Sequence, residues 1–247
     1  MRHDPESIIT EDEIMVERTP EELIRWVQEK CHKIASSNLY KEDALLHKSI
    51  FKKFYEEVYP LALFVTHLYV GRTDVRCLPN LAKKDDFDAI IFDYSLSPPS
   101  ILKIEITSAY INHGEVMRMK YLIKNGSVNL WGKVSKVGTE KTGHKIDVAN
   151  EAIKHNDHLQ QTLSLIEKAA KRKIYNPTKY GNDHVLVIVF DDCLWFTSND
   201  ALVLKSFIKE KVLIPPLRFK AVYVLGLSGK TFCGQNMGSN PNYTLYE

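Results

Sequence analysis

The sequence predicts an α/β fold: a mixed sheet flanked by helices, preceded by an extra N-terminal helix. Three observations carry this. Two adjacent apolar runs, Asp86–Phe92 and Ile101–Thr107, are rich in Ile and Phe and bounded by loop residues, as β-strands are. The run His184–Phe190 is almost wholly apolar, as expected of a strand covered on both faces. Between and around these runs lie segments with helical spacing of apolar residues, giving the order helix, strands, helix, strand, helix, strand.

Taken from the N-terminus, residues 1–18 are polar and read as loosely ordered. Thr19-Pro20-Glu21-Glu22 is a helix start, with Thr as cap, Pro in the first turn and Glu three residues after the cap, and the helix runs to about Ala35. A second helix begins near Tyr40 and carries Leu45, Ile50, Phe51, Phe54, Tyr55 and Val58 at helical spacing until Pro60 kinks or ends it. Leu61–Val70 fits either helix or strand. Asp74–Pro79 reads as a short strand ahead of the two acidic strands, which are joined through Pro98-Pro99. His113–Asn125 is helical and stops at Gly126. Ser127–Val137 with the turn Gly138–Gly143 suggests a hairpin, and Asp147–Lys173 a long amphipathic helix ending before Pro177. A helix capped by Ser198 runs from Asn199 to about Lys209. Phe219–Leu227 is the last strand, and a Gly- and Asn-rich tail follows. This divides the chain into residues 1–39, an acidic segment with one helix, and residues 40–247, an α/β domain.

Composition excludes several classes. No apolar run reaches membrane-spanning length, and the first 13 residues lack the apolar stretch of a secretory signal. The four cysteines are scattered without zinc spacing, which fits free thiols in a reducing cytoplasm. Neither GxGxxG nor GxxxxGK[ST] occurs, so dinucleotide and P-loop folds are disfavoured. Net charge is only +2, but it is unevenly spread: residues 1–30 carry four basic and nine acidic side chains, residues 113–173 twelve and six. The basic excess downstream of the acidic strands suits a polyanion and equally suits solvated helix surfaces.

The chemistry lies in the two acidic strands. Side chains alternate along a strand, so Lys103, Glu105 and Thr107 share one face. A carboxylate within such an apolar run is costly to bury unpaired. Asp88 and Glu105, from neighbouring strands, present the hard oxygen ligands that a divalent cation takes; the competing reading is a structural ion pair such as Asp88 with Lys103. Asp191-Asp192 offers a second acid pair or an exposed loop. Tyr110, Tyr121 and Trp131 fit either base stacking or core packing.

With an acid on one strand and an acid-x-residue triplet on the next, the chain resembles the PD-(D/E)XK, or restriction-endonuclease-like, nuclease superfamily over roughly Tyr40–Leu227. The resemblance implies metal-dependent hydrolysis of phosphodiester bonds in DNA or RNA, with Mg2+ or Mn2+ held by Asp88 and Glu105. It implies nucleic acid as partner, DNA ahead of RNA, and admits a homodimer. The triplet here is Glu105-Ile106-Thr107, with threonine where the family has lysine; Lys103, two residues earlier on the same face, is the candidate replacement. The family's leading-helix glutamate falls on Glu57, ahead of Glu56, and the nearest matches to a helix-borne glutamine are Gln160 and Gln161. Lys168, Lys171, Arg172 and Lys173 form a basic helix end that fits contact with a phosphate backbone or complementarity to the helix dipole. Threonine at 107 equally suits a protein of the same fold that binds nucleic acid without cutting it. An acidic N-terminal helix that docks a protein partner is a third reading.

Overall fold

β6 (His184–Phe190) runs through the middle of the protein with all seven residues buried, which is why its sequence shows no polar alternation. In the computed structural model it lies between β3 (Ser100–Ser108) and β7 (Ala221–Gly226), parallel to both. β1 (Val75–Pro79) and β2 (Ala89–Asp93) extend the β3 side antiparallel, and β8 (Phe232–Asn236) closes the other edge antiparallel to β7. The result is a mixed six-stranded sheet in the order β1-β2-β3-β6-β7-β8. The structure describes residues 8–82, 87–110, 112–129, 132–138, 144–150, 153–175, 180–192, 196–213 and 218–236. Asp86, Trp131, Cys193, Pro177, residues 139–143, the side chain of His113 and the tail after residue 236 lie outside them.

Helices cover both faces. On one, Val185, Val187 and Val189 of β6 join Ile104 and Ile106 of β3 against α1 (Glu11–Ile14), α2 (Pro20–Ala35), α4 (Ile50–Lys53) and α5 (Tyr59–Tyr69). On the other, Leu186, Ile188 and Phe190 pack against α7 (His155–Ile174) and α8 (Ser198–Phe207). α6 (Asn112–Asn125) follows β3, and the hairpin β4 (Val134–Val137) with β5 (Lys145–Val148) packs on it as a separate two-stranded sheet. No helix among the described residues is long and apolar enough to cross a membrane.

Several local expectations need correction. Residues 8–18 are ordered into the core: α1 has its own capping box on Thr10, and Ile9 and Ile14 are buried. The buried Lys30 of α2 ties this turn down through Glu13 (2.6 Å) and the Ile8 carbonyl (2.8 Å). The N-terminal helices therefore share one core with the sheet. The helix expected from Tyr40 is interrupted: α3 (Lys41–Leu45) ends, and His47 and Ser49 take left-handed φ values of 47° and 50° before α4 starts. The long helix begins at His155 because Asp147 belongs to β5. Thr197, not Ser198, caps α8, its hydroxyl accepting from the Asp200 amide. β8 is a strand beyond the expected last one.

Thr19 caps α2 as expected. Its hydroxyl accepts from the Glu22 amide at 3.2 Å, and the Glu22 carboxylate accepts from the Thr19 amide at 2.8 Å. Thr19→Ala is expected to cost about 1 kcal/mol, read as a lower denaturant midpoint with an unchanged slope.

Pro60 does not end its helix. It has no N–H for the Glu56 carbonyl, and its ring crowds that carbonyl. The chain widens into a π turn, Phe54–Val58, and continues as α5, so Leu61 to Tyr69 are helical. This widened turn packs on β3 and carries Glu57.

Candidate active site

The β2–β3 ladder ends at the pair Ala89↔Ile104. Asp88, the next residue out, stands opposite Glu105. Its amide donates to the Ile104 carbonyl at 2.7 Å, and its Oδ2 accepts from the Ile106 amide at 2.7 Å. β3 runs on past the start of β2, and the Asp88 carboxylate takes up a backbone donor that the shorter strand leaves over.

Glu105 lies among buried groups on the α7 side of β3, its side chain 6% exposed. Glu57 approaches from the π turn, held at 2.7 Å by Lys53 one turn earlier. Asp88 feels the charge of Glu105, and Glu57 feels the charge of Asp88. Burial, and then the charge of Glu105, push the Asp88 carboxyl up to about 6 against the pull of the Ile106 amide, Lys53 and Lys173. Burial, and then the charge of Asp88, push Glu57 up to about 7 despite Lys53. Like-charged carboxylates converge here, with Lys53 on Glu57 and Lys173 on Glu105 supplying positive charge.

The expected basic residues divide. Lys103 pairs with Asp183 at the entrance of β6 (2.9 Å), so the proposed Asp88–Lys103 pair is replaced by another. Lys168 is exposed. Lys171 turns back along α7 to Glu167 at 2.6 Å. Arg172 donates from Nη2 to the hydroxyl of Thr107 at 2.7 Å, and Lys173 places Nζ on Glu105 Oε1. The four residues do not form one basic surface; the last two belong to the acidic site. The cation beside Glu105 comes from Lys173, 68 positions away along the chain, which no local motif records. Lys53 also joins the site, and its spacing of four from Glu57 is a helical ion-pair signal that the sequence carries.

The other candidates lie elsewhere. Gln160 and Gln161 are exposed on α7. Asp191 is exposed, whereas Asp192 is buried and accepts from the amide and hydroxyl of Ser228 at 2.7 and 2.6 Å, a structural tie between β6 and the turn after β7. Gly226 is required beside it, because a Cβ there would lie 2.0 Å from the Asp192 carboxylate.

Among the described residues no three Asp, Glu, His or Cys side chains stand within joint reach of one metal ion. The donor set nevertheless fits Mg2+ or Mn2+. Mg2+ is held by one or two carboxylates with waters and substrate phosphate completing its shell, not by an all-protein cage. Asp88 and Glu105 supply two carboxylates of hard oxygen, and Asp88 keeps Oδ1 beside the Oδ2 used by Ile106. Comparison of the chain with protein-family models, curated proteins and solved structures finds no significant match.

Proposed function

We propose that the chain is a metal-dependent nuclease of the restriction-endonuclease-like fold, acting on DNA in preference to RNA at Asp88 and Glu105. The observation that carries this reading is the convergence of these two carboxylates at the open end of the β2–β3 ladder, with Glu57 of the π turn near enough to Asp88 to feel its charge. When bound there, Mg2+ or Mn2+ supplies Lewis-acid polarisation of the phosphate and a more acidic water. The chain's own groups do the rest. Asp88 is locked in place by the Ile106 amide. Glu57, titrating at about 7, is matched to taking and returning a proton near neutral pH. Lys53 holds Glu57 in that position.

One feature favours binding without cleavage: the threonine of the triplet is engaged by Arg172 and brings no charge of its own. A single assay separates the two readings. The full chain is incubated with duplex DNA, single-stranded DNA and RNA in Mg2+, Mn2+ or EDTA, beside Asp88→Ala and Glu105→Ala. Metal-dependent cleavage lost in both variants is the expected result. Cleavage undiminished in both removes the proposed site, and salt-sensitive binding without cleavage supports the alternative.

A further inference from the structure

The last turn of α7 presents three consecutive cations that cannot share a helix face, since each residue turns the direction by about 100°. Lys171 points back to Glu167, while Arg172 and Lys173 reach β3. They grip two residues spaced by two on that strand, Thr107 and Glu105, which lie on one face. The two grips differ in kind. Arg172 donates to an uncharged hydroxyl and anchors the helix end. Lys173 puts its ammonium on a carboxylate that is 6% exposed and is itself 21% exposed.

Glu105 is also the carboxylate that a divalent ion needs. An ammonium and a divalent ion held at one carboxylate repel each other, so each weakens the other's hold on Glu105. A buried carboxylate left without any cation is strongly disfavoured, so Lys173 fills that need in the metal-free protein. Lysine suits an exchangeable role, being a compact charge on a flexible four-carbon stem, where an arginine fork would be tied by geometry.

We propose, building on the nuclease reading above, that Lys173 is a placeholder cation: its ammonium occupies Glu105 in the metal-free site, leaves it when a divalent ion binds, and then contacts the reacting phosphate in place of the lysine missing from position 107. Apparent metal affinity is then lowered by the fraction of protein in which Lys173 holds Glu105. The inference separates a catalytic lysine from a purely structural one, because a structural pair would strengthen the site rather than compete with its metal.

The test is Mn2+ binding to the full chain, followed by the electron paramagnetic resonance of free Mn2+, for the parent, Lys173→Met and Asp88→Asn. Lys173→Met is expected to bind Mn2+ on the order of tenfold more tightly. At saturating Mn2+ it is expected to cleave roughly a hundredfold more slowly, as when one charge-stabilising donor is lost. Equal or weaker Mn2+ binding by Lys173→Met, with Asp88→Asn still abolishing binding, overturns the placeholder and leaves the nuclease reading standing. No Mn2+ binding by the parent or by Lys173→Met up to millimolar concentration overturns both. A second measurement needs no destabilising variant. The Nζ resonance of Lys173 in 15N-labelled parent protein, assigned by its loss in Lys173→Arg, is expected to move on titration with Mg2+; a resonance unmoved at saturation overturns the proposal.

Discussion

Asp88→Asn is expected to make the metal-free protein more stable at pH 8 while abolishing the metal-dependent cleavage proposed for it. The folded carboxyl titrates at about 6, and an unfolded aspartate at about 3.9. The fold therefore prefers the neutral form. Such a group stabilises below its unfolded value, and that contribution is lost as pH rises through the folded one. At pH 8 the ionised Asp88 costs on the order of 2–3 kcal/mol, from 1.36 kcal/mol per pH unit. Asparagine removes the charge and keeps an oxygen for the Ile106 amide. Glu57, at about 7, has the same sign, so stability in EDTA should fall between about pH 4 and pH 7. His67 and His158, whose basicity is lowered by burial, act in the opposite sense as pH drops. Glu57→Gln isolates the acidic contribution by flattening the fall. Divalent metal bound as proposed should reverse the dependence, because it would favour the ionised acids and stabilise the folded state by mass action. Urea unfolding at pH 5, 6.5 and 8, with EDTA and with Mg2+, reads all of this. Stability that climbs from pH 5 to pH 8 in EDTA, or an Asp88→Asn protein weaker than the parent at pH 8, would contradict the electrostatic account of the site. Opposing effects on stability and activity would be those of a functional site that keeps like charges together at the expense of the fold.

The parts of this structure that could be read from sequence are those set by short-range rules. β6 is legible because a strand covered on both faces needs every residue apolar, and the Thr19 cap because its partners lie three residues apart. The opposition of Asp88 and Glu105 follows from one short connection between two strands, which fixes register locally. What was lost was set by distant partners. Asp147 looked helical in composition, but its segment pairs with β4 and is claimed by a hairpin. β8 lies in a Gly- and Asn-containing stretch with little strand character, and it forms because β7 offers an open edge. Pro60 reads in the sequence as a kink or an end, yet a helix with buried residues on both sides of it widens one turn rather than breaking.

The site divides in the same way. Its acids could be read from strand alternation. Of its cations, Lys53 is legible from its spacing of four to Glu57, but Arg172 and Lys173 are not, because a helix end can meet any strand the topology brings it to. Lys103 was the natural candidate by proximity in sequence, but the parallel pairing of β3 with β6 puts Asp183 beside it first. Lys173 reaches Glu105 only because α7 crosses the sheet face over β3 and β6. The run Lys171-Arg172-Lys173 reads as a uniform basic patch, whereas helical geometry sends its three residues to three different partners.

Phe54→Ala is expected to cost about 3–5 kcal/mol, a large share of the roughly 5–15 kcal/mol that holds a domain of this kind folded. Phe54 is fully buried in the π turn and meets Trp26 and Tyr55 edge-on, with ring centroids 5.9 and 5.1 Å apart. Its removal opens a cavity between α2 and the turn that carries Glu57. The loss should therefore reach the site as well as the core. Phe64→Ala is the control: Phe64 is equally buried, farther along the same helix, and packs on Tyr223 and Phe232 at the opposite edge of the sheet. Both substitutions should lower the denaturant midpoint by similar amounts. Only at position 54 should the fall of stability with rising pH become shallower, because a loosened π turn lets water reach Glu57 and relaxes the burial that raises its pKa. Phe54→Leu, which fills most of the space, keeps the protein folded for that comparison. An unchanged pH dependence in Phe54→Leu would mean that Glu57 is held by Lys53 and β3 alone, with the aromatic cluster supporting only the core.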